Sequence, residues 1–539
     1  MHLAAFRYLA FMASAAIFIV SLFFDEHPWL PLLAGVLTLV GLVDLLQKKS
    51  ALRRNYPILA HFRYFFESIR PEIRQYFLES DGEATPFSRS QRSIVYQRAK
   101  QQTDKRPFGT QLDVYEAGYE WINHSIAPAK VTGHDFRIEI GNHPDCPRAQ
   151  SYSASVFNIS AMSFGALSAN AILALNGGAR AGNFMHDTGE GSISPHHRAN
   201  GGDLVWEIGS GYFGCRNPDG TFSEERFVAN ASAPQVKMIE LKMSQGAKPG
   251  HGGVLPGPKV TAEIAATRGV TIGEDCVSPA AHSAFSTPLE MLHFIERLRT
   301  LSGGKPTGFK LAIGHPWEFF GIVKAMLATG ITPDFIVVDG SEGGTGAAPL
   351  EFTDHVGTPL QEALVLVHNT LVGANLREKI KLGCSGKIIT AFDIARLMAL
   401  GADWCNSARG FMFALGCIQS QSCHTDRCPT GVATQDPQRQ RALVVPDKTE
   451  RVAHFHQNTL KALAELIAAA GLQHPQQLRP HHLVRRISPN QVRLASALLP
   501  FLEAGQLLDP SQLPQLPPVY GLYWPKAQAE SFQQLDPAA

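Results

Sequence analysis

Three of the eight cysteines in this 539-residue chain lie close together, at Cys417, Cys423 and Cys428. Their spacing is C-x5-C-x4-C, and Pro429 follows the last one. Zinc sites and the common iron–sulfur clusters use four ligands, and zinc favours the closer C-x2–4-C spacing. Three thiolates with wider gaps fit a cluster that lacks one iron. The segment therefore predicts an iron–sulfur site. A zinc site completed by His424, or three purely structural cysteines, are the alternatives.

A second group of candidate residues lies in glycine-rich loops between about residues 155 and 435. Short apolar segments predict strands at 308–314, 334–340, 387–391 and 402–408, with helices at 316–330 and 391–402 between them. Strand–helix alternation over this length indicates a parallel sheet with helical crossovers. We predict an α/β fold, a (β/α)8 TIM barrel. A doubly wound open sheet is the alternative, although no G-x-G-x-x-G follows an early strand.

The loops after the later strands would form the mouth of such a barrel, where the active sites of this fold lie. Glycine lets the backbone approach a ligand closely and turn its N–H groups towards an anion. The loops after the last two strands commonly bind phosphate. Three such loops in succession predict a phosphate-bearing cofactor, and a plain tight turn is the alternative for each loop. The candidate cofactor contacts are Gly343, Gly344, Thr345, Gly346, Gly386, Ala408 and Arg409.

The composition of the chain excludes some classes of protein. Hydrophobic residues make up 45% of the chain and charged residues 18%, so it can bury a large core. The formal net charge of +1 offers no general electrostatic basis for binding nucleic acid. Cysteine is too sparse for a disulfide scaffold.

Two uncharged apolar segments occupy residues 8–24 and 29–43, and the sequence DEHP joins them. About 17 apolar residues are the lower limit for crossing a bilayer, and Arg7 and Asp44 can extend their side chains outward. The pattern predicts a transmembrane hairpin. A buried helical hairpin of a soluble core is the alternative.

The flanking charges predict the orientation of this hairpin. The second segment is followed by the basic residues Lys48, Lys49, Arg53 and Arg54. The connection between the segments has the acidic residues Asp25 and Glu26 and no Lys or Arg. The positive-inside bias places the rest of the chain on the cytoplasmic side of the inner membrane. The cytosol is reducing, which favours metal binding over disulfides for the clustered cysteines.

These patterns divide the chain into four parts. Residues 1–47 form the hairpin, 48–150 a helical collar, 151–440 the barrel with the cysteine segment, and 441–539 C-terminal helices and a tail. Apolar residues at helical spacing predict an amphipathic helix within 55–77. The Pro- and Gln-rich tail from 509 onward is expected to wrap over the surface or to remain loose.

The order of several motifs resembles the FMN-binding synthase domain of glutamate synthase. The matching segments are AMSFGALS (161–168), GSGYFG (209–214), LKMSQGAKPGHGGVLPGPKV (241–260), VSPAAHSAFS (277–286), DGSEGGTGAAP (339–349) and LGCIQSQSCHTDRCPTGVATQDP (415–437). With its apolar N-terminus, the chain resembles the stand-alone FMN-binding glutamate synthase family proteins. The resemblance implies a barrel that carries FMN, and a [3Fe–4S] cluster on the three cysteines.

The resemblance also implies which residues contact the flavin. Ser163, Gly165 and Ala166 match the family's loop that holds the flavin ring. Lys242 matches a lysine near both flavin and substrate. Its charge would stabilise negative charge on the reduced flavin.

The implied reaction is reductive amination of 2-oxoglutarate, through 2-iminoglutarate, to glutamate. The implied catalytic residues are Lys242, Glu190 and Gln245. Glu190 matches a glutamate in the family's SGEGG segment and is a candidate for handling ammonia or the imine, with a capping carboxylate as the alternative. His251 departs from the family, which usually has an acidic residue there.

Two parts of full-length glutamate synthase have no counterpart in these residues. The chain begins MHLAAF instead of with a nucleophilic cysteine, and it has no Rossmann motif. We therefore expect ammonia or an amine supplied by a partner as the nitrogen source, and a separate electron-donor protein. A homo-oligomer is left open. The alternative functions are a redox-inactive or regulatory barrel that acts through partners, and an FMN and iron–sulfur oxidoreductase for a different amino or oxo acid.

Overall fold

The computed structural model describes residues 5–23, 27–82, 86–144 and 146–532. The chain forms two compact units, Met1–Glu83 and Ala84–Ala539. The division falls inside the predicted collar at 48–150. The first part of that region belongs with the N-terminal helices, and the second part belongs with the barrel.

The N-terminal unit is helical. Its helices are Leu9–Ser21, Trp29–Leu46, Ala51–Asn55 and Leu59–Ile73, with a 3-10 helix at Ala5–Tyr8 and a π-helical turn at Arg74–Leu78. Among the described residues, Trp29–Leu46 is the one helix long and apolar enough to cross a membrane. The helix Leu9–Ser21 has 13 residues. It spans about 20 Å, which is less than the hydrocarbon core of about 30 Å. Asp25 and Glu26 lie outside the described residues.

The two apolar helices pack through small side chains. A Cβ atom on Gly41 would collide with the ring of Phe11, so this ring packs directly against the helix backbone at the glycine. Large apolar side chains face outward instead, as Leu32 and Leu39 do with exposed fractions of 71% and 62%. Small residues inside and large apolar residues outside are typical of helices that pack in lipid.

Eight parallel strands of the second unit close into a barrel. They are β1 Phe157–Ile159, β2 His186–Asp187, β3 Leu204–Ile208, β4 Val236–Lys242, β5 Thr307–Leu311, β6 Phe335–Asp339, β7 Lys381–Ser385 and β8 Trp404–Ser407. Each strand pairs with the next in chain order, and β8 pairs with β1. The predicted (β/α)8 barrel is confirmed.

Helices and short irregular helices surround this barrel. The α-helices of the unit are Arg89–Ala99, Ala169–Gly182, Pro195–Arg198, Glu224–Ala231, Ala262–Arg268, Pro288–Leu301, Pro316–Thr329, Leu350–His355, Leu360–Gly373, Ala391–Ala399, Arg409–Leu415, Pro437–Arg441, Val445–Ala469, Ala495–Leu498 and Pro518–Tyr523. Local sequence sets their starts: the Thr390 hydroxyl accepts a hydrogen bond from the backbone N–H of Asp393 at 3.1 Å, for example. Such caps satisfy N–H groups that the helix cannot pair.

One predicted strand is wrong. The strand predicted at 387–391 is a loop, and β7 ends before it at Ser385. Gly386 has a φ of +153° and Lys387 a φ of +50°, so the chain leaves the extended conformation there. Ile388 and Ile389 are nevertheless buried, and their apolar character reflects packing at the barrel end.

Further strands lie outside the barrel. Glu120–Ile122, Leu483–Ser488 and Gln491–Leu494 form an antiparallel sheet, Arg137–His143 pairs with Cys146–Ser155, and Val254–Leu255 pairs with Cys276–Val277. The tail is folded through residue 532 where it is described. The ring of Phe320 lies 5.6 Å from that of Tyr520 and 5.7 Å from that of Trp524, so this part of the tail wraps onto the barrel.

A buried carboxylate at the amino end of the barrel holds three elements together. Asp334 precedes β6 and contacts Arg148 at 2.6 Å and Arg299 at 3.0 Å. It also accepts a hydrogen bond from the backbone N–H of Thr307, at the start of β5, at 2.8 Å. Removing this charge would leave two arginines without their shared partner.

We expect Asp334→Asn to destabilise the barrel by about 3 kcal/mol, because breaking a buried ion pair by removing one partner typically costs 3–5 kcal/mol. The measurement is the urea midpoint of the detergent-solubilised chain. Asp354→Asn, at an exposed helical position, is the matched control and should stay within about 0.5 kcal/mol. Equal midpoints for the two variants would show that Asp334 does not brace these elements.

Candidate active site

The residues that the sequence proposed as catalytic meet at the mouth of the barrel. Lys242, the last residue of β4, lies 3.0 Å from a carboxylate oxygen of Glu190 in the loop after β2. The Lys242 ammonium also donates a hydrogen bond to the side-chain oxygen of Gln245 at 3.0 Å. The structure thus brings all three together on loops from two strands, with Lys242 almost fully buried.

Glycines make room for the Glu190 side chain. A Cβ atom on Gly253 would collide with one carboxylate oxygen, and a Cβ on Gly209 would lie 2.7 Å from the other. The Ser278 hydroxyl is 3.4 Å from the same oxygen that Lys242 contacts. Glu190 is therefore a side chain held in a slot between loops, and it caps no helix among the described residues.

Nearby cations keep Glu190 ionised. Burial alone would raise the pKa of Glu190, but Lys242, Arg268 and Lys248 outweigh burial and lower the pKa. Burial lowers the pKa of Lys248, whose ammonium donates a hydrogen bond to the carbonyl of Ala347 at 3.0 Å. The mouth thus presents a carboxylate that accepts hydrogen bonds beside two lysines.

His282, a residue not predicted from the sequence, contacts the backbone of Lys242. The Nε2 of His282 lies 2.9 Å from the carbonyl oxygen of Lys242, and its Nδ1 lies 3.1 Å from the Tyr212 hydroxyl. Burial lowers the pKa of His282 to about 4, so the ring is neutral at pH 7. A neutral ring with Nε2–H donating to the carbonyl leaves Nδ1 to accept from Tyr212. His282 lies within VSPAAHSAFS, but a lone histidine carries no positional signal.

A second charged cluster, also missed from the sequence, lies in the barrel interior. Lys310 on β5 forms ion pairs with Glu207 on β3 and, at 3.6 Å, with Glu240 on β4. Asp187 at the end of β2 completes a group of three buried acids whose oxygens lie within 4.8 Å of one another. Contacts between β3 and β5, which are not neighbours, show that these side chains cross the interior. Only the period-two pattern of ELK at 240–242 hinted that Glu240 and Lys242 share a face.

Two of these three buried carboxyl groups have raised pKa values. Burial raises the pKa of Asp187 to about 7, and the Glu207 carboxylate adds to the rise. Burial, with Asp187 adding to it, also raises the pKa of Glu240 well above its ordinary value. Burial alone would lower the pKa of Lys310, but Glu207 and Glu240 hold it high, so Lys310 stays an ammonium.

The predicted flavin loop after β1 is held by side chains from elsewhere in the barrel. Arg268 lies 3.2 Å from the Ser163 hydroxyl and donates to the carbonyl of Phe164 at 2.9 Å. Lys259 donates to the carbonyl of Ala166 at 2.9 Å. Gly165 has a φ of +105°, a conformation that other residues rarely adopt. Lys259 is buried, and its contacts are with backbone carbonyls of the two loops.

The glycine-rich loop at 343–346 lies beside the start of the helix after β8. Arg409 donates to the carbonyl of Thr345 at 3.3 Å, and a Cβ atom on Gly344 would lie 3.4 Å from the Arg409 guanidinium. The space around Gly346 is open to 4 Å. Ala408 immediately precedes this helix, and Gly386 immediately follows β7. These residues occupy the carboxyl ends of β6, β7 and β8.

Asp339, at the end of β6, is a further residue that sequence reasoning missed. Its carboxylate accepts hydrogen bonds from the Ser385 hydroxyl at 2.6 Å and from the backbone N–H of Gly246 at 2.9 Å. A Cβ atom on Gly246 would collide with the carbonyl of Gly340, so only glycine permits this approach. Asp339 thereby fixes the loop after β4, which carries Gln245 and Lys248.

The three clustered cysteines lie on a loop shaped by unusual backbone conformations. Gln419, Gln421 and Asp426 all have φ near +60°, which costs energy in residues other than glycine. Cys417 and Cys428 are buried, and Cys423 is partly exposed. A loop that keeps three such residues is shaped by a constraint beyond its own local preferences.

Cys428 and Cys423 face hydrogen-bond donors or a cation, whereas the surroundings of Cys417 disfavour its thiolate. Burial opposes ionisation of Cys428, but hydrogen bonds from the Thr430 hydroxyl and nearby backbone N–H groups lower its pKa. Arg409 lies 3.8 Å from the sulfur of Cys423. Burial raises the pKa of Cys417 to about 11. Within the described residues, the three sulfurs are not among the groups close enough to hold a single metal ion.

Cations connect the predicted groups to one another. Lys259 contacts the flavin loop and, at 3.4 Å, the carbonyl of Cys423. Arg409 contacts both the loop at 343–346 and the sulfur of Cys423. Gln435, beyond the cysteines, donates to the carbonyls of Gly165 and Leu167 at 3.0 and 2.9 Å. The cysteine segment, the flavin loop and the glycine-rich loop therefore form one continuous structure at the mouth.

Comparison with known sequences identifies the family. The profile for the conserved region in glutamate synthase matches residues 132–473. The chain belongs to the glutamate synthase family. It is 38% identical over 479 residues to the glutamate synthase large subunit-like protein YerD of Bacillus subtilis strain 168, covering 82% of this chain and 90% of that protein. The resemblance seen in the motifs is confirmed, and the chain is an oxidoreductase of glutamate synthase type.

Other relatives of this glutamate synthase family member match a smaller part of it. The archaeal glutamate synthase [NADPH] of Methanocaldococcus jannaschii is 36% identical over 326 residues, which is 60% of each protein. Among solved structures, the recombinant flavin-binding domain of baker's yeast flavocytochrome b2 is 13% identical with a TM-score of 0.42. It covers 78% of this chain and 85% of that chain.

The interior acid cluster gives this enzyme a pH dependence of stability. The pKa of Asp187 is raised on folding. The protonated side chain therefore contributes to the free energy of unfolding in full below about pH 4, and this contribution is lost as the pH rises through about 7. Asp187→Asn keeps a neutral side chain at every pH. We expect its melting temperature to rise relative to that of the unmodified chain between pH 5 and pH 7, because the difference in unfolding free energy changes there by at most about 1.4 kcal/mol per pH unit.

Differential scanning fluorimetry across this pH range measures the effect, and the exposed variant Asp354→Asn serves as the control. A constant difference between Asp187→Asn and the unmodified chain would show that Asp187 holds no proton in the folded protein.

Proposed function

We propose that this barrel binds FMN and catalyses reductive amination of 2-oxoglutarate with ammonia to give glutamate. The observation that carries the proposal is the buried pair of Lys242 and Glu190, 3.0 Å apart at the barrel mouth. In balance, 2-oxoglutarate, ammonium, two electrons and two protons give glutamate and water. The residues at the mouth supply the charges that such substrates require.

The residues at the carboxyl ends of the strands fit FMN. The open space at Gly346, the Arg409 guanidinium and the turn at Gly386 suit the phosphate, while the loop with Ser163, Gly165 and Ala166 suits the ring. Backbone amides and an arginine are common phosphate ligands. When bound, FMN supplies the two-electron reduction of the imine carbon.

The ionised Glu190 and the neighbouring lysines divide the work on the substrates. Lys242 and Lys248 are cations that attract the carboxylates of 2-oxoglutarate. Because its pKa is lowered, Glu190 accepts hydrogen bonds from N–H groups and so orients ammonia against the carbonyl carbon. Gln245, held by Lys242, adds a polar group that can rotate between donor and acceptor.

We further propose that Cys417, Cys423 and Cys428 hold a [3Fe–4S] cluster. The support is the loop's left-handed residues, the hydrogen bonds to Cys428 and the cations near Cys423. The hydrogen bonds favour the thiolate of Cys428, and thiolates are the ligands of iron–sulfur clusters. When bound, such a cluster supplies one-electron transfer from an external donor. His424 directly follows Cys423 on an exposed part of the loop and is not required as a ligand.

The N-terminal helices suit a membrane anchor on an inner membrane, with the barrel on the cytoplasmic side. The support is the apolar helix Trp29–Leu46, the small residues between the helices and the large apolar side chains around them. Basic residues follow the second helix, in accord with the positive-inside bias. The electron donor would be a separate protein that reaches the barrel from this side.

We expect Glu190→Gln to slow reoxidation of the reduced flavin by 2-oxoglutarate and ammonia by about 10²-fold, because a reactant that is no longer correctly oriented typically costs about that much in rate. Flavin content should remain near one per chain. The measurement is anaerobic stopped-flow absorbance after dithionite reduction, with the product amino acid identified. Glu351→Gln, on an exposed helix near the mouth, is the control.

Glutamine in place of ammonia should leave the flavin of this chain reduced. Failure of every 2-oxo acid with ammonia to reoxidise the flavin would remove glutamate synthesis as the reaction and leave the cofactor proposal standing.

Substitution of a cluster ligand gives a separate test. Cys423→Ser should lower the iron content and remove the broad visible absorption while most of the flavin stays bound, because only the cysteine loop loses a ligand. Cys215→Ala, at a buried cysteine away from the triplet, should keep its iron. The measurement is iron by mass spectrometry and flavin by absorbance. Unchanged iron in Cys423→Ser would refute the ligand assignment.

A further inference from the structure

The helix Leu59–Ile73 and its π-helical extension Arg74–Leu78 expose an aromatic face. The exposed fractions are 60% for Phe62, 57% for Phe66 and 82% for Phe77. At 100° per residue, Leu59, Phe62, Phe66, Ile69 and Ile73 fall on one side of the helix. A continuous exposed apolar face along one surface helix indicates an interaction site.

The corner before this helix is a built feature. Ile58 has a φ of +69°, a strained conformation for a β-branched residue. The buried carboxylate of Asp44, near the end of the apolar helix Trp29–Leu46, accepts a hydrogen bond from the backbone N–H of Ile58 at 3.1 Å and contacts His61 at 2.8 Å. Arg53 lies 3.5 Å from the same carboxylate. Asp44 thus fixes the direction in which the amphipathic helix leaves the hairpin.

Basic side chains accompany the aromatic face. Residues 48–78 contain seven Lys and Arg against two acidic residues, Glu67 and Glu72. Arg63 and Arg70 lie along one edge of the apolar face, together with Phe66 and Ile73. Aromatic residues beside arginines are the pattern of a helix that lies in the headgroup layer of a membrane with anionic lipids.

We propose that residues 59–78 lie along the cytoplasmic surface of the membrane, with the aromatic face in the headgroup layer and the arginines on anionic phospholipid. The proposal rests on the membrane hairpin proposed above. Lipid is favoured as the occupant because Asp44 ties this helix to the end of the apolar helix, so both belong to one small unit. The positive charge of the segment also complements an anionic leaflet. The segment then acts as a second membrane contact that extends the anchor sideways.

The test uses the full chain in nanodiscs of mixed phosphatidylcholine and phosphatidylglycerol. The photoreactive residue p-benzoyl-phenylalanine replaces Phe62 or Phe66 on the apolar face, Ser68 on the opposite face, or Leu39 on the hairpin. After irradiation, mass spectrometry of the digested chain identifies what each position has captured. We expect about tenfold more lipid adduct at Phe62 and Phe66 than at Ser68, since an interfacial helix buries only its apolar face.

The anionic part of the proposal has its own readout. Phosphatidylglycerol should be enriched among the adducts at Phe66 relative to its share of the lipid, and Arg70→Gln with Arg74→Gln should reduce this enrichment by up to about fivefold per arginine. Lipid capture itself should persist in that variant, because the aromatic face is unchanged.

Each alternative occupant gives a different product. Capture of barrel peptides of the same chain, or of a second copy, at Phe62 and Phe66 without lipid would overturn the proposal while lipid adducts at Leu39 kept the hairpin. Absence of lipid at Leu39 as well would overturn the hairpin and this inference together, with the flavin chemistry untouched.

Discussion

Two lysines on neighbouring strands, Lys242 and Lys310, allow the barrel interior to hold carboxylates. The strands pair in register so that Lys310 on β5 is opposite Lys242 on β4. Lys242 balances Glu190 at the mouth, and Lys310 balances the acids below it. Buried carboxylates without such partners would take up protons or destabilise the fold. The positions of Glu190 and of the acids paired with Lys310 therefore depend on these two ammonium groups.

This arrangement gives the carboxyl groups opposite behaviour within a short distance. Glu190 stays ionised because cations surround it, whereas Asp187, three residues earlier in the chain, holds a proton up to a pH of about 7. Groups whose environments push their pKa values apart are typical of sites that move protons. The barrel thus combines an ionised hydrogen-bond acceptor, Glu190, with two buried acids whose pKa values are raised, Asp187 and Glu240. Cations from other loops, Lys259 and Arg409, then connect this mouth to the cysteine segment.

Much of the fold could be predicted from the sequence. Short apolar segments followed by glycine-rich loops are visible in the local sequence, and they mark the strands of a barrel and their carboxyl ends. The prediction of a strand at 387–391 was wrong because Ile388 and Ile389 are buried in a loop. A short apolar segment does not by itself distinguish a strand from a buried loop. The predicted collar is divided between the two units according to the residues that each part contacts. The sequence of a polar segment does not show which other part of the chain it contacts. The folded tail was left open for the same reason: Tyr520 and Trp524 pack on Phe320, far away in sequence.

Some residues of the candidate site could be predicted from local sequence motifs, and others are identified only by contacts between distant parts of the chain. Lys242, Gln245 and the cysteines stand in recognisable motifs, and the structure brings Lys242, Gln245 and Glu190 together. Asp339 and His282 lie within matching motifs that do not reveal their contacts, and the interior acids lie outside these motifs. The roles of all these residues arise only when the eight strands close into a barrel. Closure brings side chains from strands that are distant in sequence within a few ångströms. A single sequence carries little signal for such contacts.

The most direct test of the account is a double-mutant cycle on Lys242 and Glu190. The rate of flavin reoxidation by 2-oxoglutarate and ammonia would be measured anaerobically for Lys242→Gln, Glu190→Gln and the double variant. Residues that act as one unit show strongly non-additive effects. The account predicts that the double variant is about as slow as the slower single variant. Independent effects that multiply in the double variant, or single variants that react at the unmodified rate, would contradict the claim that this ion pair is the reaction centre.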